Sequence, residues 1–266
     1  ARGTIADCEL VNKSAADKED EIIPCIRCFH CLDYRRASTF GCSVNPTVGR
    51  ELRYPRLIAP AYAEKKLLVI GGGPAGMKAA LSARERGHKV VLLEQAERLG
   101  GKLIYSEKVP FKKDLARFMN YQIHMIEKNK IEVRLSTKAN PELIKTINPD
   151  VIIAALGADA CVPLMEGTDR ENVLTAEQAY NRADELAGKK LAIIGGGEVG
   201  CETGVYFAME KGCSVSLAEM SSALSTESCG IPRFALLEKV NEYIDAHTDA
   251  LCTRITEEGL EYKDIA

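Results

Sequence analysis

The chain lacks what would take it to a polyanion, a bilayer or the cell exterior. Its 35 lysines and arginines are outnumbered by 38 acids, a formal net charge of -3. No basic field exists to draw nucleic acid, and that partner is excluded. No apolar run approaches the roughly 20 residues that a membrane-spanning helix needs, and no signal-peptide pattern opens the sequence. The expectation is a cytoplasmic protein with no membrane partner. A secretory disulfide framework is missing as well. Of ten cysteines, Cys8, Cys161, Cys201, Cys213, Cys229 and Cys252 lie singly and read as small buried hydrophobes. The other four stand within 18 residues of one another. At 266 residues there is room for one or two domains with proper cores.

What the chain does have is a glycine turn between two short apolar runs. Leu67 to Ile70 suits a buried parallel strand. Gly71-Gly72-Gly73-Pro74-Ala75-Gly76 then satisfies G-x-G-x-x-G, an Ala-rich helix follows, and Val90 to Leu93 ends on Glu94. Gly87 stops the helix, where a residue without Cβ takes the left-handed conformation. Gly71 permits the tight turn, Gly73 lets a pyrophosphate approach the backbone, and Gly76 lets helix and strand pack closely; Ala75 lies in the same cofactor-facing turn. The helix N-terminus offers N–H groups to the pyrophosphate, and Glu94 can accept from a ribose diol. Glycines gather in any tight turn. The full order of strand, turn, helix, strand and acid argues for a dinucleotide or ADP moiety over a ligand-free turn.

The unit recurs 124 residues later, from Lys189 to Glu219. Gly195, Gly197 and Gly200 take the glycine positions and Glu219 the acid position. Two nucleotide sites suggest electrons passing between cofactors. Glu219 would bond a ribose 2′-OH and repel a 2′-phosphate, and Met220, Ser221 and Ser222 follow it in place of an arginine; were this unit to take a nicotinamide nucleotide, as the resemblance described below implies, NADH would be favoured over NADPH. Glu202 and Gly204 read as packing residues of the next helix.

Cys25, Cys28, Cys31 and Cys42 form the remaining constellation. Three thiolates at C-x2-C-x2-C with a fourth further on suit a 4Fe–4S cluster. Structural zinc prefers two separated pairs and fits less well, uncoordinated thiols least. His30 reads as a hydrogen-bonding neighbour, and Arg27 as either a charge beside the cluster or a solvated side chain. Leu115, Phe118, Met119, Ile123 and Ile126 recur at helical spacing. Glu132 to Leu135 and Val151 to Ala155 supply strands, one helix is expected near Ala176 to Leu186, and a hairpin closes the chain.

The four-cysteine cluster, Asn45-Pro46, Gly49-Arg50-Glu51, the Leu99-Gly100-Gly101 segment and the paired nucleotide units together carry a resemblance. The chain resembles the C-terminal half of the NADH:flavin oxidoreductase family that includes 2,4-dienoyl-CoA reductase, enoate reductase and trimethylamine dehydrogenase. The interval from Cys31 to Cys42 is a little shorter than is usual there. The resemblance implies an α/β fold: two Rossmann-like three-layer dinucleotide-binding units of the disulfide-reductase type, preceded by a small cysteine-rich cluster segment. Residues 1–24 would be the remnant of an FMN-binding barrel, with 1–13 as its last strand and loop and Arg2 at the FMN phosphate. Residues 25–60 would hold the 4Fe–4S cluster, 61–160 FAD or ADP alone, 161–188 a connection, and 189–266 NAD(H), with both ends of the chain cut. Gly100 and Gly101 would contact the flavin, as would Gly157 in Leu156-Gly157-Ala158, where Leu156 replaces the usual Thr.

The implied path runs from NADH to FAD, to the cluster, then to FMN and a small unsaturated, enoyl-type substrate in the missing barrel. No side chain here is expected to act as acid or base. Assembly into identical copies is left open. Two rivals stand beside this reading: a non-catalytic ADP-binding structural module, and the iron–sulfur flavin subunit of a glutamate-synthase-like enzyme, which would require a second cysteine cluster upstream.

Overall fold

The computed structural model describes residues 1–32, 40–53, 59–228 and 230–266; Cys229 and parts of the 25–60 segment lie outside them. The chain divides into two compact units, Ala1–Ala158 and Asp159–Ala266.

The first unit opens with two short helices, α1 (Arg2–Ala6) and α2 (Leu10–Ala15). Where the resemblance implied a barrel strand and loop over 1–13, the chain is largely helical. A strand needs a neighbour to complete its backbone hydrogen bonds. Among the described residues none pairs with this stretch, and the bonds close locally instead, Ile5 N–H to Ala1 O and Asp7 N–H to Gly3 O. The nucleotide unit follows as β1 (Lys66–Ile70), α3 (Pro74–Glu85), β2 (Lys89–Leu93), α4 (Lys113–Lys128), β3 (Glu132–Arg134), α5 (Pro141–Ile147) and β4 (Val151–Ala154). Its sheet has the order β3-β2-β1-β4, and each neighbouring pair is parallel.

Strand alternation sorts the core into two layers. Leu67, Val69, Val90 and Leu92 pack with Met77, Ala80, Ala83 and Ile126 of α3 and α4. Leu68, Val91 and Leu93 meet Ile147 of α5 on the opposite face, with Leu143 and Ile144 against them. A parallel sheet covered on both faces needs this near-continuous apolar run. Past the end of α3, Gly87 has φ +89°.

The second unit contains α6 (Ala176–Asn181), α7 (Ala183–Leu186), β5 (Lys190–Ile194), α8 (Glu198–Lys211), β6 (Ser214–Ala218), α9 (Gly230–Tyr243), β7 (Ile244–His247) and a hairpin of β8 (Ala250–Ile255) and β9 (Leu260–Asp264). The parallel order is β5-β6-β7. The helix expected over 176–186 is broken at Arg182 (φ -108°, ψ 23°), whose N–H is shared between the carbonyls of Gln178 and Ala179. Tyr180 of α6 packs on Tyr206 and Phe207 of α8, with ring centroids 5.1 and 6.0 Å apart. A Cβ on Gly204 would lie 2.7 Å from Ile244 Cδ1, so the packing role read for that glycine has a contact behind it. The isolated cysteines are not uniformly buried: Cys201 and Cys213 are, Cys252 is half-buried, and Cys8 and Cys161 are exposed. Cys8 sits in the turn between α1 and α2, and Cys161 in an exposed irregular stretch.

Candidate nucleotide turns and cysteine site

In the first turn, Gly71 (φ +107°) lies where a Cβ would come 2.2 Å from Ala155 O, and a Cβ on Gly76 would come 1.8 Å from Gly71 O. Both positions therefore demand glycine, one by φ and approach, the other by approach alone. Glu94 is buried. Its Oε2 accepts from Gly72 N–H at 2.6 Å and its Oε1 from Ala96 N–H at 2.8 Å. The acid thus braces the turn, and each oxygen keeps a lone pair for a second donor.

Gly73 stands just before α3 with only Gly101 Cα, at 3.8 Å, near the place a Cβ would take. Gly100 N–H donates to Gly72 O at 2.9 Å, and Gly100 and Gly101 have φ of +126° and +54°. Two side-chain-free backbones therefore meet at the N-terminal end of a 12-residue helix, a cradle that fits a pyrophosphate. Gly157 has φ +74° and open space around it. Sequence reasoning missed Gln122. This buried side chain on α4 donates to Pro74 O at 3.1 Å, while its Oε1 has no partner. Its signal was a polar residue within the apolar stripe of that helix.

The second turn repeats the construction. Gly195 has φ +101°, and a Cβ on Gly200 would lie 1.9 Å from Gly195 O. Glu219 Oε2 accepts from Gly196 N–H at 2.6 Å, and Oε1 from Ser221 N–H and Oγ at 2.7 and 2.6 Å. Burial pushes the Glu219 carboxyl up, but the bonds from Ser221 and Gly196 prevail and hold it below the usual carboxylate value. Leu224 stands where Leu99 stands in the first unit: a Cβ on Gly196 or Gly72 would meet the respective leucine Cδ2 at 2.4 Å. Both leucines follow the acid by five positions, a signal the sequence reading passed over. At Gly197 the two units differ. The place a Cβ would take is 2.8 Å from Glu227 Oε1, and that oxygen accepts from Glu198 N–H.

The four cysteines of the first unit line one cavity, together with Arg2, Ile5, Ile26, Phe29, Ser43 and Val44. Burial and then the neighbouring thiols of Cys42, Cys28 and Cys25 push the Cys31 thiol up. Ser43 Oγ is 3.2 Å from Cys28 Sγ, and Arg27 N–H points to Cys25 Sγ at 3.5 Å. Among the described residues no three His, Cys, Asp or Glu side chains converge to hold a single metal ion. Four thiols along a cavity are the donor set of a multi-iron cluster, and in that sense the residues fit one. The Arg27 side chain is exposed, as the solvated reading had it, and its guanidinium pairs with Asp114 of α4. Arg2 forms part of the cavity wall. Asn45 donates to Ile5 O at 2.9 Å, tying the segment after Cys42 to α1.

Comparison with known proteins agrees with this architecture. The chain is 36% identical over 270 residues to an NADH oxidase of Thermoanaerobacter brockii, covering 97% of this chain and 41% of that protein. It is 33% identical over 264 residues to a cinnamate reductase of Clostridium sporogenes, covering 97% and 39%. A solved structure of 2-naphthoyl-CoA reductase superposes with a TM-score of 0.93 at 30% identity, over 99% of this chain and 40% of that one. The chain thus spans about two-fifths of the length of these relatives. The sequence pattern described as pyridine nucleotide-disulphide oxidoreductase matches residues 65–264. The α/β, Rossmann-type architecture of this chain is that of FAD- and NAD-binding oxidoreductases, and the chain belongs to the pyridine nucleotide-disulphide oxidoreductase family.

Proposed function

We propose that the chain is the electron-transfer part of a longer NADH-dependent iron–sulfur flavoprotein. In this reading FAD, or ADP in its place, lies on the first glycine turn and NADH on the second. A 4Fe–4S cluster is held by Cys25, Cys28, Cys31 and Cys42, with FMN and an unsaturated substrate in a barrel outside this chain. The reading is supported by relatives named as an NADH oxidase and a cinnamate reductase and by a structural neighbour named for a CoA thioester.

A bound flavin would supply the exchange between the hydride of a nicotinamide and the single electrons a cluster accepts. The chain's own residues hold, orient and tune. The N-terminal amides of α3 and α8 meet the pyrophosphates, and the free lone pairs of Glu94 and Glu219 accept ribose hydroxyls. Arg27 N–H and the Ser43 hydroxyl lie within reach of Cys25 and Cys28, where hydrogen bonds disperse thiolate charge. No proton transfer is assigned to a side chain.

The observation that carries this reading is that four cysteines line one cavity in the unit that also bears the first glycine turn. Anaerobic reconstitution followed by iron and sulfide analysis tests it. About four irons per chain are expected, with loss of most of them in each single Cys→Ser variant at 25, 28, 31 and 42. A variant that keeps the full complement removes its cysteine from the ligand set, and iron binding that ignores all four sinks the reading.

A further inference from the structure

The second turn carries a feature that the first does not. Counting from the acid of each unit, the eighth residue is Lys102 after Glu94 and Glu227 after Glu219. The path between is the same in both. Leu99 and Leu224 seat under the middle glycine, and the next residue donates its N–H to that glycine's carbonyl, Gly100 to Gly72 O at 2.9 Å and Ser225 to Gly196 O at 2.8 Å. In the second unit the path then brings the Glu227 carboxylate onto the first turn of α8, where it accepts from Glu198 N–H and abuts Gly197. This is the end of the helix at which unpaired amides and the macrodipole favour an anion.

The loop is fastened there. Ser228 Oγ donates to Glu198 Oε2 at 2.9 Å and accepts from Ser225 Oγ at 2.6 Å. The Arg233 guanidinium donates to Leu224 O at 3.0 and 2.8 Å. The Glu227 side chain itself is exposed, so turning it out to water costs its amide contact and little burial.

We propose that Glu227 is a built-in competitor for the phosphate-binding end of α8, and that a dinucleotide must displace its carboxylate to bind. The inference rests on the reading of the second unit as a nicotinamide-nucleotide site. A pyrophosphate arriving at Gly197 meets a carboxylate already bonded to the amide it needs, with Glu198 and Glu219 adding like charge on either side. Glu227 therefore weakens ligands in proportion to the charge they place at that point, and it leaves the adenosine end of the ligand alone.

The test uses the whole chain and its Glu227→Gln and Glu227→Ala variants, titrated with NADH and separately with adenosine. Removing the competing charge should tighten NADH by about tenfold in Glu227→Ala, the scale of one charge-assisted hydrogen bond. Glu227→Gln, which keeps an acceptor but no charge, should fall between. Adenosine, with no phosphate, should bind all three alike. NADH binding equal in wild type and both variants overturns the inference and leaves the nicotinamide reading standing. Equal tightening of adenosine and NADH overturns it too, because a general loosening of the loop would then be the cause. If none of the three proteins takes NADH, the nicotinamide reading falls, and the competitor role with it.

Discussion

Asp7 is among the few buried acids of this chain, and it shows how single residues hold the cysteine site in place. Its Oδ2 accepts from Lys13 Nζ at 2.6 Å and from Ile23 N–H at 2.9 Å, and its Oδ1 from Glu9 N–H at 3.0 Å. Ile23 lies two residues before Cys25, so one carboxylate joins α1, α2 and the approach to the thiols. Burial pushes the group up, but the bonds from Lys13, Ile23 and Glu9 outweigh it, leaving the folded-state pKa below the ordinary 3.8. A lowered folded pKa means stability that is present above the unfolded value and lost as pH falls through the folded one. Asp7→Asn should therefore cost about 1–3 kcal/mol near neutral pH, and the gap from wild type should close as both are acidified below pH 4. Thermal unfolding across a pH series measures this; a gap independent of pH would show that packing and not charge makes the contact. At this scale the sequence disclosed the glycines and the paired acids, whose roles are local. It did not disclose Gln122, Ser43 or Glu227, because each acquires meaning only from a partner far along the chain.

Among the elements, α3 and α8 share one constraint: each has as its third residue a glycine whose missing Cβ admits the carbonyl of the turn before it, Gly71 O for Gly76 and Gly195 O for Gly200. The obstacle is backbone, so an added methyl group cannot be relieved by turning a side chain. Gly76→Ala should force helix and turn apart and cost on the order of 1–3 kcal/mol or more. Gly87→Ala, with open space but φ +89°, should cost about 1–2 kcal/mol from backbone strain. Urea midpoints of the two variants compare them, and a smaller loss for Gly76→Ala would mean that the helix start is slack. The central strands and α4 were legible because apolar periodicity and buried faces coincide there. The first thirteen residues, which the resemblance gave as a barrel strand and loop, are helical here because the backbone settles its own hydrogen bonds locally. The break at Arg182 carried no glycine or proline to announce it.

At the scale of the whole molecule, repetition was the most legible property: two glycine turns, two bracing acids and two seated leucines, one set in each compact unit. What the chain meets in the longer protein was not legible in the same way, since about three-fifths of each relative lies outside the aligned share. The packing of Met119 under the Leu99–Gly101 turn has a chemical consequence under oxidative stress. Its sulfur lies 2.6 Å from where a Cβ on Gly100 would be, so the oxygen atom of a sulfoxide has no room until the turn lifts. The six methionines run from sealed to open: Met77 and Met119 are 0% exposed, Met209 38% and Met220 62%. Dilute peroxide followed by peptide mass spectrometry should modify Met220 first and the sealed Met77 and Met119 last. The Met119 rate then counts openings of that turn. Added FAD or ADP should slow Met119 while Met220 keeps its pace, so that oxidative wear on one sulfur becomes a clock for the cradle above it.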